Sequence, residues 1–176
     1  MSPLQARVNF RPWPYAPRPF DDEAFGSWFG RVASRYQVTV EMAWEINGLG
    51  PLPALTSVGW ILFAPLDESA LDKLAALARI DAATIASIQT PDSWMVARRR
   101  LPFCFRCLVI NPVDVSTPYW KRAWLNPSII ECCEHGAQLE TAPSSVLRRA
   151  GNMQQLISSV GRYRRDAVKR RFRRGR

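Results

Sequence analysis

The sequence predicts a mainly α chain in three parts: a helical N-terminal part over residues 1–97, a small Cys/His-bearing unit over 98–143, and a C-terminal helix with a basic tail over 144–176. Three observations lead there. Apolar residues recur at helical spacing in several short runs. All four cysteines and the only histidine fall between Cys104 and His135. The positive charge is concentrated at the C-terminal end. Hydrophobic residues fill 47% of the 176 positions, enough for a real core. Fourteen prolines favour short elements joined by stiff loops over one long bundle.

Residues 1–20 read as an extended arm punctuated by Pro12, Pro14, Pro17 and Pro19, with Phe10, Trp13, Tyr15 and Phe20 free to lie on the core. Nothing local demands burial of Trp13 and Tyr15, which makes them candidates for a partner interface. Asp21-Asp22-Glu23 stand where a helix N-terminus favours negative charge. Behind them Phe25, Trp28, Phe29 and Val32 follow i, i+3, i+4, i+7, an amphipathic helix with one aromatic face. Thr39 is placed to cap a second helix through about Asn47, which Gly48 stops.

Residues 48–66 are apolar and rich in Pro and Gly, and read as a buried loop or short irregular strand. Asp67-Glu68 opens another helix, with Leu71, Leu74, Leu77 and Ala78 on one side. A break at Arg79-Ile80 follows, and Asp81 caps a helix carrying Ile85 and Ile88. Helix, turn and helix in about twenty residues has the length of a helix-turn-helix. Two short helices packed on each other is the plainer reading of the same pattern. From Ser144 onward, Val146, Ala150, Met153, Ile157 and Val160 keep a helical stripe, and after Gly161 the chain becomes RYRRDAVKRRFRRGR. Trp28, Trp120 and Trp124 sit in helical settings and belong in the core.

The strongest chemical signal is Cys104-x2-Cys107 followed by Cys132-x2-His135. A C-x2-C pair puts two thiolates on one tight knuckle, where both can reach a metal about 2.3 Å away. A second pair from a later segment completes a tetrahedron, the closed arrangement of structural zinc in a zinc-ribbon-like unit. Between the pairs, Thr117 to Trp124 could form a short helix and Ile129-Ile130 a short strand. Cys132 and Cys133 are adjacent; the x2 spacing favours Cys132 as the ligand, with Cys133 a spare thiol. Four ligands leave no open position for a reacting water. Glu134 stands outside any H-x-E…C-x-x-C deaminase pattern, and the sole histidine is claimed by the metal. A catalytic role is not expected.

Residues 148–176 hold eleven Lys/Arg and one acid, whereas residues 1–147 hold 13 basic and 14 acidic residues. The basicity belongs to the tail, and a tail of this kind suits a polyanion. Arg162, Arg164, Arg165, Lys169, Arg170, Arg171, Arg173 and Arg174 are candidate nucleic-acid contacts, with Tyr163 and Phe172 able to stack. Such contacts are sequence-independent and salt-sensitive. An acidic protein surface is the competing partner. Arg98-Arg99-Arg100 forms a second basic run beside the first knuckle. The N-terminus has no apolar signal region, and the run Val58 to Pro65 is far short of the roughly 20 residues of a membrane span. A cytoplasmic protein with reduced thiols is expected.

Three stretches resemble the TniQ/TnsD family of transposition target-selection proteins. The first runs from Pro19-Phe20-Asp21-Asp22-Glu23 to Ser27-Trp28-Phe29-Gly30-Arg31. The second is Arg100-Leu101-Pro102-Phe103-Cys104-Phe105-Arg106-Cys107-Leu108, similar to the family's first knuckle. The third runs from Tyr119-Trp120-Lys121-Arg122-Ala123-Trp124 to Cys132-Cys133-Glu134-His135-Gly136-Ala137-Gln138-Leu139, and is the most specific. Phe105 and Cys133 replace residues that are often Pro in the family. The resemblance implies a helix-turn-helix-like N-terminal part, a zinc-bearing unit, and an adaptor bridging a separate targeting factor to an AAA+ ATPase, which recruits the transposase. In its short length the chain resembles those members that cap the ATPase assembly on DNA. From a different class, a zinc-stabilised helix-turn-helix regulator that binds DNA on its own is the alternative.

Overall fold

In the computed structural model, which describes residues 11–53, 56–110 and 117–174, the aromatic run Phe25-Trp28-Phe29 lies at the centre of the molecule. Helix α1 (Phe25–Arg35) is buried along nine of its eleven residues, Phe25 through Ala33. A helix buried on all sides is a core helix rather than the one-faced helix its spacing predicts. The reason is that partners approach from several directions: Phe63 and Trp44 pack against its Phe25 and Phe29 rings, and Met153 meets Ser27.

Helix α2 (Val40–Ile46) starts at Thr39, whose hydroxyl accepts the Met42 amide at 3.1 Å, and ends at Asn47 before Gly48 at φ +59°. The stretch after it stays irregular yet buried at Val58 and from Trp60 to Phe63. It crosses α1 at Gly26, where a methyl group would sit 2.3 Å from the Trp60 carbonyl oxygen. Glycine here permits backbone contact rather than a special dihedral. Ala normally stabilises a helix over Gly by about 1 kcal/mol. Gly26→Ala is expected to do the reverse, costing about 3 kcal/mol through overpacking. A thermal midpoint equal to or above that of the parent protein would refute this close approach.

Helices α3 (Glu68–Ala78) and α4 (Ala82–Ser87) begin as the sequence predicts. Asp67 accepts the Ala70 amide and Asp81 the Ala83 amide, each at 2.8 Å. Arg79 at φ +55° turns the chain between them. Leu74, Leu77, Ile85 and Ile88 are buried on their shared side, with Leu71 and Ala75 partly so.

Strands β1 (Arg100–Phe103) and β2 (Glu140–Pro143) form a two-stranded antiparallel sheet, Arg100 opposite Pro143 and Phe103 opposite Glu140. They clamp the two ends of the Cys/His segment. Inside it, the expected helix over 117–124 is only a 3-10 turn at Arg122–Leu125. Ile129 and Ile130 lie outside both strands; the Ile130 carbonyl instead accepts the Leu139 amide at 2.8 Å.

The predicted stripe from Ser144 is interrupted. Helix α5 (Ser144–Leu147) stops, and α6 (Met153–Arg174) begins after a break. In the break, the Ala150 carbonyl accepts the Trp60 indole N–H at 2.7 Å and the Gly151 carbonyl accepts the Val40 amide at 2.7 Å. Carbonyls satisfied sideways by other segments cannot continue a helix. Asn152 restarts it by accepting the Gln155 amide at 3.1 Å. Helix α6 then runs straight through Gly161, so the expected tail is helical as far as it is described.

Two further expectations are corrected. Trp13 is not a surface residue: it is 8% exposed, its indole donates to Asn47 Oδ1 at 2.8 Å, and its amide donates to the Leu77 carbonyl at 2.8 Å. The acidic run Asp21-Asp22-Glu23 does not serve as a helix start; α1 has no side-chain cap, and Glu23 is fully buried. Phe10 lies outside the described residues. Trp28, Trp120 and Trp124 are fully buried, as their settings predict. No helix among the described residues is long and apolar enough to cross a membrane.

Candidate metal centre

Strand β1 buries Leu101 and Phe103 and delivers the chain to Cys104. The turn Arg106–Ile110 then carries Cys107, with the Leu108 amide donating to the Cys104 carbonyl at 2.9 Å. The second knuckle closes when the Cys132 amide donates to the Ala137 carbonyl and the Gly136 amide to the Cys132 carbonyl, both at 2.8 Å. Gly136 has φ +54°, a conformation that suits glycine.

These two knuckles bring Cys104, Cys107, Cys132 and His135 together, their ligand atoms all within 4.8 Å of one another. His135 Nδ1 lies 3.5, 3.3 and 3.6 Å from the sulfurs of Cys104, Cys107 and Cys132, and the Cys107 and Cys132 sulfurs are 3.6 Å apart. Four atoms each about 2.0–2.3 Å from one centre would form a tetrahedron with edges of about 3.3–3.8 Å. The residues present therefore fit a tetrahedral metal ion, and three sulfurs with one imidazole suit a soft or borderline cation. Cys133 is exposed whereas Cys132 is buried within the cluster, so geometry selects Cys132. Burial alone raises the Cys132 thiol, but hydrogen bonds from His135 and the amides of Glu134 and His135 outweigh it and bring it down to about 7. Burial and the Glu134 carboxylate push Cys107 up.

A polar hub underlies the second knuckle. Glu134 accepts from Cys107 Sγ at 3.0 Å with one oxygen and from Lys121 Nζ at 2.6 Å with the other. Lys121 is buried and also pairs with Asp22. Burial disfavours its ammonium, yet the two carboxylates win and hold it above the usual lysine range. Burial raises Asp22 in turn, but Lys121 and Tyr119 keep it below its ordinary value. Tyr119 donates to Asp22 at 2.7 Å, and its hydroxyl is pushed up to about 12 by burial and by that carboxylate.

The backbone follows the same seam. The Ala24 amide donates to the Trp120 carbonyl at 2.9 Å, and the Arg122 amide to the Asp22 carbonyl at 2.7 Å. Ser27 Oγ accepts the Trp120 amide at 2.9 Å and donates to Glu23 at 2.7 Å. Arg31 grips the same Glu23 through Nε at 2.9 Å and Nη2 at 2.6 Å. The polar residues of the first and third stretches that the sequence singled out thus meet in one network, joined to the Cys107 knuckle through Glu134. Sequence reasoning missed the Glu23–Arg31 pair and Lys121. Glu23, Ser27 and Arg31 recur every four residues, a signal that could have placed them on one helical face.

Among the described tail cations named above, only Arg164 is tied to the body. Its Nε lies 2.9 Å from both Glu140 oxygens, and its guanidinium sits 3.5 Å from the Phe105 ring centroid. Arg162, Arg165, Lys169, Arg170, Arg171 and Arg173 are exposed. The side chain of Arg174 lies outside the described residues. Tyr15 is exposed on the arm beneath the Arg35 guanidinium, 4.9 Å from its ring centroid.

Compared with known proteins, the chain matches the sequence model of the family described as TniQ over residues 14–139. That span takes in the acidic hub, both knuckles and all four candidate ligands. No curated protein matches the chain.

Proposed function

The chain belongs to the TniQ family, and on that premise we propose that it is a non-catalytic adaptor in DNA transposition. It links a separate targeting factor to an AAA+ ATPase, and through it to the transposase. In this reading Cys104, Cys107, Cys132 and His135 hold one structural zinc ion. The observation that carries the reading is the closed Cys3His cluster inside the family-matched span. Such an ion supplies a cross-link between distant segments rather than a reactive water. Lys121 and Glu134 then transmit that cross-link to Asp22, in the segment that leads into α1.

The test is reconstitution. The purified chain is added to the AAA+ ATPase and transposase encoded beside its gene, on duplex DNA, and insertion is counted. Insertion that needs the chain, together with direct capture of the ATPase, supports the adaptor; unchanged insertion without it refutes the reading. A neighbourhood of metabolic genes alone would favour the DNA-binding regulator. That alternative would use α3 and α4 as a helix-turn-helix. Its weakness is that α4 exposes Ala83, Thr84, Ala86 and Ser87, with no cation to meet phosphate.

The basic half of α6 contacts DNA phosphates without reading bases. Arg162, Arg165, Lys169 and Arg173 share its solvent side. Changing all four to Gln in the full-length chain is expected to lower the slope of log affinity against log salt by about 4. An unaltered slope would remove DNA from the account and leave an acidic protein surface as the partner.

A further inference from the structure

We infer that a groove between β2 and α6 seats a phosphodiester of duplex DNA, with Arg100 and Arg171 as its contact residues. The inference rests on the DNA-binding reading of α6 and adds to it a residue from a different part of the chain. The groove encloses about 530 Å³ and is lined by Arg100, Gln138, Glu140, Thr141, Tyr163, Arg164 and Arg171, among others. Three of these carry positive charge and one negative. Glu140 is already gripped by Arg164, whose Nε lies 2.9 Å from both carboxylate oxygens, so the field inside the groove is set by the two remaining guanidinium groups.

Arg100 is prepared for an anion. Its Nε donates to Thr141 Oγ1 at 2.8 Å, and its Nη2 to the Thr141 carbonyl and the Tyr163 hydroxyl, both at 2.9 Å. Those bonds fix the plane of the guanidinium, while Nη1 donates to no described residue. A fixed fork with free donors loses less entropy on meeting phosphate than a free side chain. Arg171 is exposed and its side chain has no hydrogen-bond or ion partner among the described residues. It stands two turns beyond Arg164, about 10 Å further along the helix. Asp166, the one acid on this half of α6, is not among the residues lining the groove.

The division of labour along α6 follows from these contacts. Arg164 is a positioning residue: stacked on Phe105 of the first knuckle and paired with Glu140, it pins the helix against the sheet. The groove side offers Arg100 and Arg171 to one phosphate, and the solvent side offers the stripe at Arg162, Arg165, Lys169 and Arg173 to others. A duplex fits this better than a free nucleotide, because cations on two sides of one helix match phosphates of two strands.

Fluorescence anisotropy of the full-length protein on a duplex of arbitrary sequence, across a salt series, tests the assignment. Arg100→Gln and Arg171→Gln are each expected to lower the salt slope by about 0.5, since the other residue still meets the phosphate, and to weaken binding roughly fivefold at 0.15 M salt. Because both residues meet the same phosphate, the double variant should lower the slope by about 1 in all. Should Arg100→Gln disturb the sheet, as thermal unfolding would reveal, the exposed Arg171→Gln still decides the matter. If the four-residue stripe variant loses affinity while these two variants keep theirs, the groove is wrong and the DNA reading stands. If the stripe variant keeps full affinity and slope as well, both fall together. Displacement of the duplex by micromolar deoxyadenosine monophosphate would reassign the groove to a small nucleotide and overturn the duplex assignment.

Discussion

Stripping the metal is expected to unfold at least residues 100–140. Zinc held by a small Cys/His peptide contributes about 10–16 kcal/mol, which rivals or exceeds the roughly 5–15 kcal/mol of net stability of a whole domain. The sheet does not offer an independent anchor, since β1 and β2 are four residues each and join the two ends of the liganded segment. The damage should spread. Trp120 packs on Phe103 and Trp124 and hydrogen-bonds through its backbone to Ala24 and Ser27. Treatment with a strong chelator should therefore red-shift tryptophan fluorescence and expose amides of 100–140 to hydrogen exchange. Elemental analysis should find one zinc per chain before treatment. Cys104→Ser, Cys107→Ser and Cys132→Ser should lose the metal, and Cys133→Ser should keep it, because Cys133 is exposed and outside the cluster. A protein that keeps its fold after complete metal removal would contradict the whole structural role.

The second large effect is expected at Arg31. Glu23 is fully buried, and among the described residues Arg31 supplies its only cationic partner, through two bonds at 2.6 and 2.9 Å. Removing one member of a buried pair leaves an uncompensated charge and costs about 3–5 kcal/mol. Arg31→Ala should fall in that range by denaturant unfolding. Replacing both members together, as Glu23→Leu with Arg31→Met, should recover much of the loss, since apolar substitutes for a buried pair are often neutral.

The pH dependence follows from burial. Burial raises the Glu23 carboxyl above its ordinary value of 4.5, against the opposing pull of Arg31 and Ser27. Without Arg31 that opposition goes and the carboxyl rises further. An acid that holds its proton more tightly when folded stabilises the fold below its unfolded value and loses that contribution as pH rises through the folded one. Arg31→Ala should therefore lie closest to the parent protein near pH 4 and fall furthest behind it near neutrality. A deficit that is constant across that interval would show that Glu23 is not the group left stranded.

Much of the chain is legible without coordinates wherever the deciding interaction is local. Thr39, Asp67 and Asp81 cap the helices that follow them because a side-chain oxygen reaches an amide two or three residues on. Gly48 ends α2 for an equally local reason. The two knuckles could be read because each pair of ligands lies within four residues, and the scarcity of Cys and His elsewhere links the pairs. Where sequence reasoning went astray, the deciding partner lay far along the chain. Trp13 has no local reason to be buried, yet Asn47 receives its indole and Leu77 its amide. Ser144 to Val160 holds helical spacing throughout, but Trp60 and Val40 draw off the carbonyls of Ala150 and Gly151 and split it.

Sequence by itself pointed to the four residues of the candidate metal centre, the helix starts and the charge of the C-terminal helix. All three depend on residue type and short-range spacing, which the chain carries whatever it folds against. The tertiary structure bore out the spacing's preference for Cys132, which is buried in the cluster, over Cys133, which is exposed. It also decided that Asp22 pairs with the buried Lys121 and Glu23 with Arg31 in a buried ion pair, and that Arg164 is committed to Glu140 while Arg100 and Arg171 are not. A charge finds its partner through space, and Asp22 and Lys121 stand 99 positions apart in the chain yet form one ion pair. No spacing rule spans that distance; only the packing of α1 against the metal unit brings the two together.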